Sequence, residues 1–193
     1  MPRIDWRLAV KGLAGFLAGL AMWVFLSPLY EQALDVCAEK VMHVFEHPPV
    51  TELTRAADGY TTVDRVDFDR RSTERPAMPV KDLTFNIALM TALFAASRRT
   101  FSDRNMGGFV LACVCLFLTH VFGVITEVMS IYVAKLGMWS TVHYSDFARN
   151  VWGVANHFYR LVLMYALAFA LWWIFRGKDV EAAPAASKKK KRR

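Results

Sequence analysis

The stretch Phe109-Val110-Leu111-Ala112-Cys113-Val114-Cys115-Leu116-Phe117-Leu118-Thr119-His120-Val121-Phe122-Gly123-Val124-Ile125-Thr126-Glu127 has no charged side chain before its last residue. An apolar run of this length reads as a membrane-spanning helix, because about 20 residues at roughly 1.5 Å each cross the hydrocarbon core. His120 and Glu127 are the ionisable residues in it, and their seven-residue separation puts them on one helical face. A lipid-facing side would reject both, so that face turns toward other helices or a wet cavity.

Working outward, the whole chain carries the same apolar weight. Its 193 residues are 55% hydrophobic with a formal net charge of +7, a composition expected of several membrane segments. The basic residues cluster at the two ends and around 98–104, which points to membrane topology and away from nucleic-acid binding. Cys37, Cys113 and Cys115 form no CxxC pair and no disulfide framework. Cys113 and Cys115 point to different sides of a helix, as expected of apolar packing residues.

Reading in order gives an all-α membrane protein, a four-transmembrane-helix bundle with an outward amphipathic helix and a small β-hairpin. Residues 1–28 form an N-terminal segment and the first transmembrane helix, in which Gly15 and Gly19 make a small-xxx-small pair. Residues 29–81 face outward. Tyr30, Leu34, Cys37, Val41 and Phe45 recur at helical spacing, with Glu31, Asp35, Glu39, Lys40 and Glu46 on the other side. Pro48 and Pro49 stop that helix, and alternation around Ala57-Asp58-Gly59 predicts a hairpin over 50–68. Residues 82–178 hold transmembrane helices 2–4, of which the second, over 83–97, is the shortest. Residues 179–193 are a disordered tail ending in Lys188 to Arg193, all basic.

The basic N-terminus, the Arg98 to Arg104 loop and the tail all fall on one side of a four-span chain. Both termini are therefore expected in the cytoplasm and residues 29–81 outside. In that frame Glu127 lies about 30 Å along its span and His120 about 10 Å deeper. Asn86, His120, Glu127, His157 and Arg160 then all fall in the outer half of the bilayer. A Glu127–Arg160 pair is the cheapest way to carry either charge there. The functional reading is an outward-facing polar binding pocket, and the structural one is a buried bond set that fixes helix register. His43 and His47 are spaced for a metal pair but lack a third ligand, so no metal or cofactor is expected.

The order of elements resembles the exosortase/archaeosortase family over most of 26–175. The resemblance is carried by the span followed by Tyr30-Glu31-Gln32-Ala33-Leu34 to Val44-Phe45-Glu46, then the Asp58-Gly59 hairpin and the span entered near Asn86. The Arg98-Arg99 loop and the His-bearing last span complete it. It implies polytopic transpeptidase-like enzymes that process carboxy-terminal sorting signals at the outer membrane face with a cysteine, an arginine and a histidine. Where the family's cysteine would stand, this chain has Leu83-Thr84-Phe85-Asn86, and Val121-Phe122-Gly123 stand where its arginine would follow His120. Only His157 matches the histidine.

The resemblance therefore implies a non-catalytic, exosortase-associated relative, an inner-membrane accessory or binding subunit in envelope protein sorting or assembly. Its partners would be the lipid bilayer, a membrane protein, and anionic lipid at the basic tail. Two other readings stand beside it. One is a membrane enzyme acting on a lipid or lipid carrier, with His120 or His157 as base, Glu127 orienting it and Arg160 holding an anion. The other is a structural scaffold whose Gly12/Gly15/Gly19 face packs on another protein.

Overall fold

The computed structural model describes residues 6–66, 75–97 and 100–176. The basic tail, Arg98 and Arg99, and residues 67–74, which include the end of the expected hairpin, lie outside the described residues. Helix α1 runs without a break over Trp6–Phe45, followed by strands β1 (Thr51–Arg55), β2 (Thr61–Arg65) and β3 (Ala77–Met78). A 3₁₀ turn over Val80–Leu83 leads into α2 (Asn86–Ala95). Next come α3 (Asp103–Ala134), α4 (Met138–His143) and α5 (Asp146–Phe158). A π turn over Tyr159–Leu163 joins α5 directly to α6 (Met164–Arg176).

Three helices are long and apolar enough to cross a membrane: Trp6–Phe45, Asp103–Ala134 and Asp146–Arg176. The expected fourth span is a helix of ten residues, about 15 Å long. It is short because its first turn is spent as the 3₁₀ turn, and Thr84, whose hydroxyl donates to Lys81 O at 2.9 Å, holds the corner between them.

The four apolar segments nevertheless pack side by side. Gly12, Gly15 and Gly19 of α1 lie against Ala96, Ala95 and Thr91 of α2, so the two run antiparallel. A β-carbon on Gly15 would stand 2.3 Å from that of Ala95, and one on Gly19 would stand 2.8 Å from that of Thr91. Only glycine lets the backbones come so close. The small-residue face thus packs on the chain's own α2 and not on another protein. Tyr30 against Phe117 and His120, together with Thr51, just past α1, bonded to Tyr132 near the end of α3, sets α3 parallel to α1. Gly108 against Phe175 and Gly123 against the Tyr159 ring set the α5–α6 rod antiparallel to α3. The Trp6, Ala95, Asp103 and Arg176 ends consequently lie together at one end of the bundle, and the sheet lies at the other.

The sheet has order β1-β2-β3, all antiparallel, with Leu53 opposite Val63 and Thr61 opposite Met78. The third strand adds to the expected hairpin. Gly59 takes the left-handed conformation (φ 85°) that the Asp58-Gly59 turn requires, and Asp58 Oδ1 accepts from Tyr60 N–H at 3.0 Å.

The second half of α1 continues the membrane helix directly, so the expected separate amphipathic helix is its extension. Pro28 sits within α1, and its missing N–H removes one ladder bond. Ser27 Oγ donates to Trp23 O at 2.5 Å, and Pro28 O accepts from Arg55 Nη1 at 3.2 Å. Of the side expected to be polar, Glu31 and Asp35 are buried beside Leu34, Ala38 and Met42, and Glu39 and Glu46 are half-buried, while Val41, Val44 and Phe45 are exposed. The reason is the free edge of β1. Glu39 Oε2 accepts from Leu53 N–H at 2.9 Å, and Glu46 Oε2 accepts from Val50 and Thr51 N–H at 3.1 and 3.0 Å. Helix carboxylates thereby take the place of a neighbouring strand and protect an edge that would otherwise invite pairing.

Candidate functional site

Two polar constellations sit between the helices on the sheet side of the bundle. The first centres on His120, which is fully buried. Asn86, at the start of α2, donates from Nδ2 to the carbonyl of Met164 at 2.7 Å. That bond fixes the amide, so Asn86 Oδ1 faces His120 Nε2, also at 2.7 Å, and the imidazole carries its proton on Nε2. Nδ1 is left as an acceptor for the Tyr30 hydroxyl at 2.8 Å. The resulting relay, Tyr30 to His120 to Asn86 to Met164 O, ties α1, α3, α2 and α6 to one another. Each such interhelical bond is worth about 0.6–2 kcal/mol in a membrane.

Just before Met164 the last helix passes through the π turn over Tyr159–Leu163, where Met164 N–H donates to Tyr159 O. Tyr159 itself is fully buried, its ring lying over Gly123.

The second constellation is an ion cluster around Glu127, whose side chain is 4% exposed. Arg160 Nε lies 3.6 Å from Oε2, and Lys135 Nζ lies 3.7 Å from Oε1. Both cations are partly exposed, at 38% and 55%. They stand at ion-pair rather than hydrogen-bond distance, so each keeps donor capacity for a group outside the bundle.

Of the five residues read from the sequence, Asn86 and His120 are thus bonded to each other, and Glu127 and Arg160 form an ion pair. His157 joins neither group. It is exposed, and its Nδ1 donates to Gly153 O of its own helix at 2.8 Å. It lies instead on an open groove of about 480 Å³ along the outer face of α5.

Sequence reasoning missed Tyr30 and Lys135. By spacing Tyr30 belongs to the apolar stripe of α1, though a tyrosine at the end of a span carries a hydroxyl that seeks a partner. Lys135, the residue that ends α3, lies two helical turns beyond Glu127 on the same face. The carbonyl of Met164 has no sequence signal at all.

The remaining candidates resolve simply. Cys113 and Tyr30 line one apolar cleft of about 200 Å³ between α1, α2 and α3. His43 Nε2 bonds Thr51 O at 2.7 Å, and His143 stacks on Trp139. Among the described residues no group of three or more His, Cys, Asp or Glu is placed to hold a metal ion.

No curated protein and no solved structure matches this chain. A family model described as exosortase H-associated membrane protein matches residues 5–179. With every described helix and strand inside that match, the chain belongs to the exosortase H-associated membrane protein family.

Proposed function

We propose that this protein is a non-catalytic accessory subunit that binds an exosortase in the inner membrane and serves envelope protein sorting or assembly. The observation that carries the reading is the family match over residues 5–179. Supporting it, both ring nitrogens of His120 are taken up by Tyr30 and Asn86, so the most buried histidine holds helices together.

In this reading α2, with its 3₁₀ lead-in, is a short fourth crossing, and both termini lie in the cytoplasm. The basic tail attracts anionic lipid at about 1 kcal/mol per residue. The sheet faces outward. The Glu127 cluster forms the outward polar pocket, where Lys135 and Arg160 offer donors to a carboxylate or phosphate on a partner segment or lipid head group. His157 lies on the neighbouring groove and lines a separate part of the same outer surface.

The test is affinity purification of the tagged chain, co-expressed with the exosortase, in mild detergent, followed by mass spectrometry of proteins and lipids. A stoichiometric exosortase supports the reading. The chain alone with one enriched lipid carrier, and turnover of that carrier, would replace it with an enzyme reading.

A further inference from the structure

The cleft of about 200 Å³ beside the relay is walled by three helices. Met22, Trp23 and Leu26 come from α1, Ile87 from α2, and Cys113 and Leu116 from α3. Ser27 and Leu116 are buried at its floor, while Met22 and Leu26 are exposed at its rim. Its two hydroxyls are already committed, Ser27 donating to Trp23 O and Tyr30 to His120 Nδ1. The lining therefore offers alkyl and aromatic surface to whatever enters.

Depth decides what surrounds the rim. Residues 12–30 of α1 carry no charge, and their helix length of about 28 Å matches a hydrocarbon core about 30 Å thick. The part of α1 that lines the cleft, Met22 to Tyr30, falls in the sheet-side half of that stretch. The rim consequently meets acyl chains and not water. An apolar cavity of about 150 Å³ holds a benzene-sized guest, so this cleft admits a run of methylenes. It does not admit a helix, whose diameter is about 10–12 Å.

A cation stands against one wall. Trp23 Nε1 donates to Thr84 Oγ1 at 2.9 Å, which fixes the indole, and Lys81 Nζ lies 4.7 Å from the centre of that ring. Lys81 is exposed, and among the described residues no carboxylate pairs with it. Its ammonium is thus held beside the cleft with its donors open to an anion.

We propose that the cleft binds one acyl chain of an anionic phospholipid, whose phosphate takes the donors of Lys81. A cleft of this size holds a single chain and leaves the second in the bilayer, where such lipids are already the solvent. The unpaired ammonium selects a head group of net negative charge. The site is separate from the Glu127 cluster and stands independently of the accessory-subunit reading.

The test uses the purified full chain in detergent micelles mixed with phosphatidylglycerol, phosphatidylcholine or a polyprenyl phosphate. The readout is the rate at which a membrane-permeant maleimide alkylates Cys113, mapped by peptide mass spectrometry. Cys115 is the internal reference, because it lies on another side of α3 against a separate core cluster. Phosphatidylglycerol is expected to slow Cys113 and leave Cys115 unchanged. Lys81→Gln should raise the amount needed for half-protection by about fivefold, as one lysine beside anionic lipid predicts, and Lys81→Arg should preserve protection. Equal slowing of both cysteines, or of neither, would overturn the site. Protection that Lys81→Gln leaves undiminished, or that phosphatidylcholine matches, would overturn the proposal as well. Protection by the polyprenyl phosphate at lower concentration than phosphatidylglycerol would pass the cleft to a carrier lipid and overturn the choice of occupant.

Discussion

Arg55 of β1 places its Nη2 2.6 Å from a carboxylate oxygen of Glu31, a residue of α1 that is 1% exposed. The pair joins the sheet to the helix one turn above Pro28, and Arg55 Nη1 bonds the Pro28 carbonyl as well. Removing one member of a buried pair leaves the other as an uncompensated charge, at a cost of about 3–5 kcal/mol. Arg55→Met should therefore lower detergent-solubilised stability strongly. The double variant Arg55→Met with Glu31→Leu should recover most of the loss. A thermal melt of both settles it, and equal destabilisation by single and double variants would refute the pairing account.

The His120 relay makes a second, separable prediction. Asn86→Ala strands the Nε2 proton of His120 and removes a donor from Met164 O, at a cost of about 1–3 kcal/mol. Tyr30→Phe removes only the end of the relay and should cost about 1 kcal/mol. The two costs should be non-additive in a double-mutant cycle, since both act through one imidazole. Strict additivity would mean that the relay does not act as a unit.

Glycine substitutions on α1 should rank by the space α2 leaves. At Gly12 a β-carbon meets Ala96 at 3.4 Å, ordinary contact, whereas at Gly15 it meets Ala95 at 2.3 Å. Gly12→Ala should be tolerated, and Gly15→Ala should force the helices apart and cost about 1–3 kcal/mol. Gel-filtration profiles and melting temperatures compared across the pair provide the check.

Acid sensitivity should trace in part to Glu46. Burial alone would raise its pKa, but the Thr51 hydroxyl, the Val50 and Thr51 N–H groups and the Arg65 guanidinium together hold it below the ordinary carboxylate value. A lowered folded-state pKa stabilises the fold above the unfolded value of about 4.3, and that stabilisation is lost as pH falls through the folded one. Glu46→Gln should be less stable than wild type at pH 7, and the gap should close as the pH drops below about 4. Melts at stepped pH measure this directly, and a gap unchanged with pH would refute it.

The parts of this fold that were legible in sequence are those governed by period and length. The apolar runs gave the first half of α1, α3 and the last span without the start of α5 at Asp146, and Asp58-Gly59 gave the turn between β1 and β2. Three things were not legible. The continuity of α1 through Pro28 depends on Ser27 and Arg55 compensating from outside the local ladder. The inward turn of Glu31, Asp35, Glu39 and Glu46 depends on where β1 docks, which is a tertiary fact. The grouping of the polar residues depends on rotation about each helix axis. Depth put Asn86, His120, Glu127, His157 and Arg160 at similar levels, but depth does not say which way His157 faces.

The unbroken course of α1 has a mechanical consequence. Forty residues of continuous helix make a rod of about 60 Å, with one end clamped to α2 through glycines and the other to the sheet through carboxylates. Between the two ends stands Pro28, where Ser27 and Arg55 bond the neighbouring carbonyls and the helix runs on. A tilt of about 10° at the lower end would carry the sheet through an arc of about 10 Å, so α1 acts as a lever. Whatever reorients this helix within the bilayer, whether a change in thickness or a neighbouring subunit, is transmitted as displacement of the strands above it.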